Sequence, residues 1–176
     1  MRGCAASVRA AQARVAHLRA RLIWIALAGL LVGACAEARF AEVVAVADGD
    51  SFVATVDGAR TRVRLAEVHA PERGQPWNRR ARQALEEKIL HRSVRLDVVT
   101  TDRYGRLVAH VWLGERHINR EMIREGHAWV YTRHLVDASL NDDEAAARAA
   151  RRGLWSQSDP IEPWLYRRER RPAQGG

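Results

Sequence analysis

Beyond the first 40 residues the polar and apolar positions alternate in short runs, each closed by a turn signal. FAEVVAVA runs into Asp48-Gly49-Asp50, SFVATV into Asp57-Gly58, and RTRVRLAEV follows. Asp-Gly between β-rich runs is a strong hairpin signal, so three antiparallel strands in a meander are expected. The period then changes. Across QPWNRRARQALEEKIL, residues 75–90, Ala81, Leu85 and Ile89 recur every four residues behind Pro76, which reads as a helix. Residues 93–99 and 107–113 read as two more strands around the loop TTDRYGR. HINREMIREG is a short helix stopped by Gly126, and LNDDEAAARAARRG is another, acidic at its start and basic at its end. The tail RRERRPAQGG has no apolar residue to hold it and reads as disordered. Five short strands, a helix after the third and helices near the end predict an α+β chain, mainly β. A five-stranded Greek-key barrel of the OB-fold type with about three helices fits best, and another small α+β barrel fits the same pattern.

The first 36 residues follow other rules. Arg2, Arg9, Arg14, Arg19 and Arg21 stand among no acids, and the apolar run from Leu22 to Ala36 ends at Glu37. A basic start, a short apolar stretch and small residues at its end describe an export signal, and the run is shorter than the roughly 20 residues of a membrane span. Cys4 and Cys35 are the only cysteines, so the domain downstream carries no disulfide framework. VGAC, ending at Cys35, resembles the box before a lipid-modified cysteine, with ordinary cleavage after Ala36 or Ala38 as the alternative. The expected organisation is therefore a leader over residues 1–36, a domain over 40–168 and a basic tail over 169–176. The location that follows is periplasmic or secreted, or the membrane surface if Cys35 is lipidated.

The leader also changes the charge. The chain has 29 basic and 21 acidic side chains, a net of +8, but five of the basic ones lie in the leader, leaving 24 − 21 = +3. That is too mild to indicate a nucleic-acid partner by itself. Lys88 is the only lysine. Arginine suits bidentate phosphate contact, though compositional bias explains the preference equally well.

Four clusters could carry chemistry, and each alone has a plain structural explanation. Asp48-Gly49-Asp50-Ser51 is a turn. Arg62 and Arg64 share one face of the third strand, with Val63 and Leu65 on the other. His69-Ala70-Pro71-Glu72 puts a carboxylate on a loop stiffened by proline. Asp102-Arg103-Tyr104-Gly105-Arg106 is a hairpin with charges.

In this order and spacing the four clusters, with GLW at Gly153 and PWLYR at Pro163, resemble the staphylococcal (micrococcal) nuclease family, the thermonucleases, over roughly residues 42–168. The resemblance implies an OB-type barrel and a hydrolase acting on DNA and RNA, expected here as a monomer. It assigns Arg64 and Arg106 to the charge that develops on phosphate, and Glu72 to the attacking water. A Ca²⁺ ion would sit on Asp50, residue 69 and the carbonyl of Ala70. Arg103, Tyr104 and Tyr131 become substrate contacts. Trp129 falls in the same aromatic region, with core packing as its alternative, while Trp112, Trp155 and Trp164 are expected in the core. The chain departs from the family at one position, because residue 69 is His where the pattern has a carboxylate. Ca²⁺ prefers hard oxygen ligands, so the change predicts weak Ca²⁺ binding, a shift to Mn²⁺, Ni²⁺ or Zn²⁺, or a silent barrel that still binds nucleic acid. Glu67 is a further candidate to approach the site if the strand alternation continues.

Overall fold

The computed structural model describes residues 39–134 and 136–170. The expected leader with Cys35, and tail residues 171–176, lie outside them. Three strands form the meander the Asp-Gly signals predict: β1 (Arg39–Val46), β2 (Ser51–Val56) and β3 (Ala59–Leu65). Asp57 and Gly58 both adopt positive φ, 51° and 79°, the backbone that a tight hairpin twisted with its strands requires. A two-residue strand β4 (Val68–His69) follows, then α1 (Asn78–Ile89), β5 (Ser93–Thr101) and β6 (Leu107–Leu113). The chain continues through β7 (Arg116–His117), α2 (Ile118–Arg124), β8 (Trp129–Val130), α3 (Ser139–Ala149) and α4 (Pro163–Glu169). No described helix is long and apolar enough to cross a membrane.

The sheet runs β3-β2-β1-β5-β6 and closes through a parallel pairing of β3 with β6, giving a five-stranded mixed barrel of the α+β class. Register shifts at Val43/Ala45 and Val98/Thr100 bend the long strands β1 and β5 around it. Alternate residues point inward: Val43, Phe52, Ala54, Val63, Leu65, Leu96, Ala109 and Val111 are buried. Leu85 and Ile89 of α1, with Ile118, Met122 and Ile123 of α2, cover one end of the same core. Truncating the buried Leu85 to Ala would cost about 2–5 kcal/mol. A second, smaller core of Trp129, Ala147, Leu154 and Trp155 lies under α3, and Trp77 packs against both. Of the tryptophans expected inside, Trp155 is buried. Trp112 stacks half-buried on His117, with ring centres 4.3 Å apart. Trp164 is 38% exposed.

Two departures from expectation matter for function. The alternation of β3 stops at Glu67, whose φ of 60° turns its side chain aside. The Glu67 carboxylate accepts from the backbone N–H groups of Val136 and Asp137 and so holds that loop. The second departure is at the C-terminal end. Glu169, expected in the basic tail, belongs to α4, as do Arg167 and Arg168, although the charge-rich run RRERRPAQGG that contains them reads as disordered. The helix starts on Pro163, which suits a first turn, and is held by long-range contacts that no local pattern reveals.

Candidate active site

Strand registry assembles the site. Ser51 pairs with Arg64 in the β2–β3 hairpin, which sets Asp50 beside the Arg64 side chain. The parallel β3–β6 pairing places Leu107 opposite Val63, so the loop carrying Arg106 reaches the same mouth of the barrel. The short β4–β8 pair brings the chain from Trp129 toward Tyr131 alongside His69. Gly49 allows the close approach of α1 behind the turn. A β-carbon there would lie 2.7 Å from that of Ala81 and 2.8 Å from that of Ala70.

Asp50 is 4% exposed, and both its carboxylate oxygens accept hydrogen bonds. Oδ1 accepts from Arg64 Nη1 at 2.7 Å and from Ser51 Oγ at 2.8 Å; Oδ2 accepts from the Ala70 N–H at 2.9 Å. Burial pushes this carboxyl up, but the Arg64 guanidinium and the Ala70 N–H outweigh it and hold it below the usual carboxylate range. Among the described residues, its neighbour Asp48 accepts only the Asp50 N–H, at 3.1 Å. Burial, and then the Asp50 charge, push Asp48 up to about 7. Arg64 is fixed further by donating from Nη2 to the Val68 carbonyl at 3.0 Å.

Arg106 is held by its own loop. Asp102 Oδ2 accepts from Arg106 Nε at 2.7 Å, while Asp102 Oδ1 accepts the N–H groups of Tyr104 and Arg106 at 2.9 and 3.0 Å. Asp102 organises this loop as an Asx-type turn, a role the Asp-x-Tyr-Gly spacing was able to signal. Arg62 Nη2 ties the Tyr104 carbonyl down at 2.6 Å. Tyr104 is 56% exposed, and the guanidiniums of Arg103 and Arg106 lie 4.8 and 5.6 Å from its ring centre. Arg103 also donates to the Tyr104 hydroxyl at 2.7 Å.

Glu72 stands on the far side. Its N–H donates to Gln75 Oε1 at 2.9 Å, and the preceding Pro71 carbonyl accepts from Asn78 Nδ2 at 2.7 Å. Gln75 is buried and also donates from Nε2 to the Ile161 carbonyl at 2.6 Å, so one side chain ties the Glu72 loop to the segment entering α4. That link brings in Arg167, absent from the sequence-based site. Arg167 Nε lies 3.3 Å from Glu72 Oε1, and its Nη2 lies 3.1 Å from His69 Nε2. A guanidinium only donates, so in the contact with Arg167 Nε2 is the acceptor; the same Nε2 lies 3.5 Å from Glu72 Oε1, and Nδ1 is buried without a partner. His69 itself is 3% exposed, edge-on to Tyr131 at 5.2 Å and tilted against Trp164 at 5.7 Å. Trp129 is no part of this surface. It is buried against Trp155 in the smaller core.

The residues surround a cleft of about 1390 Å³. Arg62, Arg64, Arg73, Arg103, Arg106, Arg133 and Arg167 line it, against the carboxylates of Asp48, Asp50, Glu67, Glu72 and Asp102. Arg64, Glu72, Arg106, Asp50, His69, Ala70, Arg103, Tyr104 and Tyr131 thus meet at one cleft, although they come from separate elements. The donors expected to hold Ca²⁺ do not fit that ion. Both Asp50 oxygens already accept N–H or O–H groups, residue 69 offers nitrogen, and its Nε2 faces a guanidinium. Among the described residues no group of three or more His, Cys, Asp or Glu side chains is arranged to hold a metal.

A small closed barrel with an arginine-lined cleft at its mouth defines a class of domain suited to polyanionic ligands. Comparison with known proteins narrows the class. Residues 62–157 match the family described as staphylococcal nuclease homologue. The chain is 40% identical to Protein ParB of Escherichia coli over 156 residues, covering 82% of this chain and 88% of that one. It is 38% identical to a micrococcal nuclease of Shigella flexneri over 138 residues, covering 72% and 79%. With an uncharacterized endonuclease of Haemophilus influenzae the identity is 34% over 141 residues, covering 79% of each. The chain belongs to the staphylococcal nuclease family, and it is a nuclease of the thermonuclease type. That family generally uses Ca²⁺.

Proposed function

We infer that this nuclease is exported and hydrolyses phosphodiester bonds in both DNA and RNA with little sequence preference. The observation that carries the reading is the cleft itself, where Arg64, Arg106 and Glu72 converge beside an exposed tyrosine flanked by guanidiniums. A phosphodiester repels hydroxide, and charge concentrates on its oxygens as water attacks. Arg64 and Arg106 are already oriented by Asp50 and Asp102, so they meet that charge without having to reorganise. Glu72 accepts a proton from water as the water oxygen bonds to phosphorus. The ester P–O bond then breaks, and the leaving oxygen takes a proton from solvent. Arg103 and Tyr104 receive a neighbouring phosphate and base, and Tyr131 borders the cleft. Contacts of this kind read the phosphate chain and the faces of bases, which explains the low sequence preference. The basic, apolar and small-residue segments of residues 1–36 support export, with lipidation at Cys35 as the alternative mode of attachment.

The test is hydrolysis of single-stranded DNA and of RNA by wild type, Glu72→Gln and Arg106→Ala. Losses of about 10²-fold or more are expected for each variant. Equal rates in wild type and Glu72→Gln would overturn the assignment of the base. Binding without any hydrolysis would favour a barrel that only holds nucleic acid. Mass spectrometry of the exported product would locate the leader cleavage and show whether Cys35 carries lipid.

A further inference from the structure

We propose that Arg167 supplies, from within the chain, the positive charge that a divalent ion would bring to this cleft, so that phosphate is held by three arginines without a bound metal. The inference rests on the nuclease reading of the same site. The side chains expected to hold a metal already face N–H or O–H groups. Asp50 accepts from Arg64, Ser51 and the Ala70 N–H. His69 Nε2 accepts from Arg167 at 3.1 Å, and Glu72 Oε1 lies 3.3 Å from Arg167 Nε. Arg167 adds one positive charge to the corner where Arg64 already stands, and a cation entering there would meet both.

The position of Arg167 is built rather than incidental. An exposed arginine–carboxylate contact alone is weak. Here the second acceptor is a ring nitrogen of a residue only 3% exposed, Trp164 packs beside that ring, and Gln75 anchors the approach to α4 at the Ile161 carbonyl. The Arg167 side chain is nevertheless 54% exposed, so part of its guanidinium remains open to the cleft. A planar fork of donors matches two phosphate oxygens. An arriving phosphate competes with Glu72 for this cation and leaves the carboxylate to accept the proton of water. Arg167 makes and breaks no covalent bond. On this account the exchange of carboxylate for imidazole at position 69 is coherent, because an arginine donates well to imidazole nitrogen and a hard cation binds it poorly.

The test uses the full chain, with Mn²⁺ itself titrated and followed by its electron paramagnetic resonance, beside hydrolysis of single-stranded DNA in EDTA. Wild type is expected to cut in EDTA and to show no stoichiometric Mn²⁺ site. Arg167→Gln is expected to lose about 10²-fold of the EDTA-resistant rate. It should also bind Mn²⁺ at least about tenfold more tightly than wild type, since a repelling charge is gone. Arg167→Lys, which keeps the charge without the fork, should stay near wild type in Mn²⁺ binding and recover part of the rate, separating charge from folding defects. A one-to-one Mn²⁺ site in wild type that Arg167→Gln leaves unchanged would overturn the proposal. If wild type cuts neither with nor without added ions, the reading as a nuclease fails, and the Mn²⁺ titration still decides what Arg167 does.

Discussion

Arg64–Asp50 and Arg106–Asp102 are ion pairs of the same length, 2.7 Å, at the same cleft, yet they are built differently. The Asp50 carboxylate is buried and joins three separate segments: the turn before β2, the strand β3 and the loop at Ala70. Asp102 bonds only within its own loop, to Tyr104 and Arg106, and its side chain is more exposed, 19% against 6% for Asp50. Distance alone therefore says little about what a pair contributes. Removing one partner of a buried pair strands a charge away from water, whereas an exposed partner is simply rehydrated. The buried pair is part of the fold and the site together. The half-buried one shapes the site from within a single loop.

Breaking each pair in turn should expose the contrast. Arg64→Ala is expected to have the largest effect: about 10²-fold or more in rate, with a stability loss of about 3 kcal/mol from the unpaired Asp50. Urea unfolding and initial rates on the same preparation measure both. Arg106→Ala should cost a comparable factor in rate but less than about 1 kcal/mol in stability. Equal stability losses in the two variants would refute the comparison. Asp102→Asn should be milder again, because an amide oxygen still accepts the two loop N–H groups, although the amide nitrogen no longer accepts from Arg106 Nε.

The most diagnostic effects are in pH. Two groups make stability depend on pH between the ordinary carboxylate and histidine ranges, with opposite signs. Burial, and then His110, hold His117 down to about 4 from 6.5. The unfolded chain therefore binds more protons there in that interval, and this group makes stability rise with pH. Asp48 is pushed up to about 7 from 3.8, so the folded chain binds the extra proton and this group makes stability fall as pH rises. Urea unfolding across that range should show a flatter acid limb for His117→Asn. Asp48→Asn should be more stable than wild type at pH above Asp48's titration and equal to it below pH 3.8.

Much of this protein was legible along the chain. Asp57-Gly58 marked the β2–β3 hairpin, alternation placed Val63 and Leu65 inside and Arg64 outside, and the spacing of Ala81, Leu85 and Ile89 marked α1. These signals are local, arising from backbone sterics and from the periods of strand and helix, so a short window contains them. The linked motifs also pointed to Arg64, Glu72 and Arg106 as one constellation.

Other features had no local signal. Nothing near Glu67 showed that its strand would break and its carboxylate would hold the 136–137 loop, and nothing near Trp129 separated cleft from core. Arg167 is the clearest case. It meets His69 across 98 positions of sequence, and Gln75 meets Ile161 across 86. Charge composition made 167–170 look like a solvated tail, while its meaning depends on where α4 docks. The sequence by itself determined the strands, the hairpins, the barrel class and the residue types available for phosphate chemistry. Only the tertiary structure decided which cation stands beside His69 and Glu72, because that choice follows from the docking of distant segments and the desolvation of their polar groups, neither of which has a period to read.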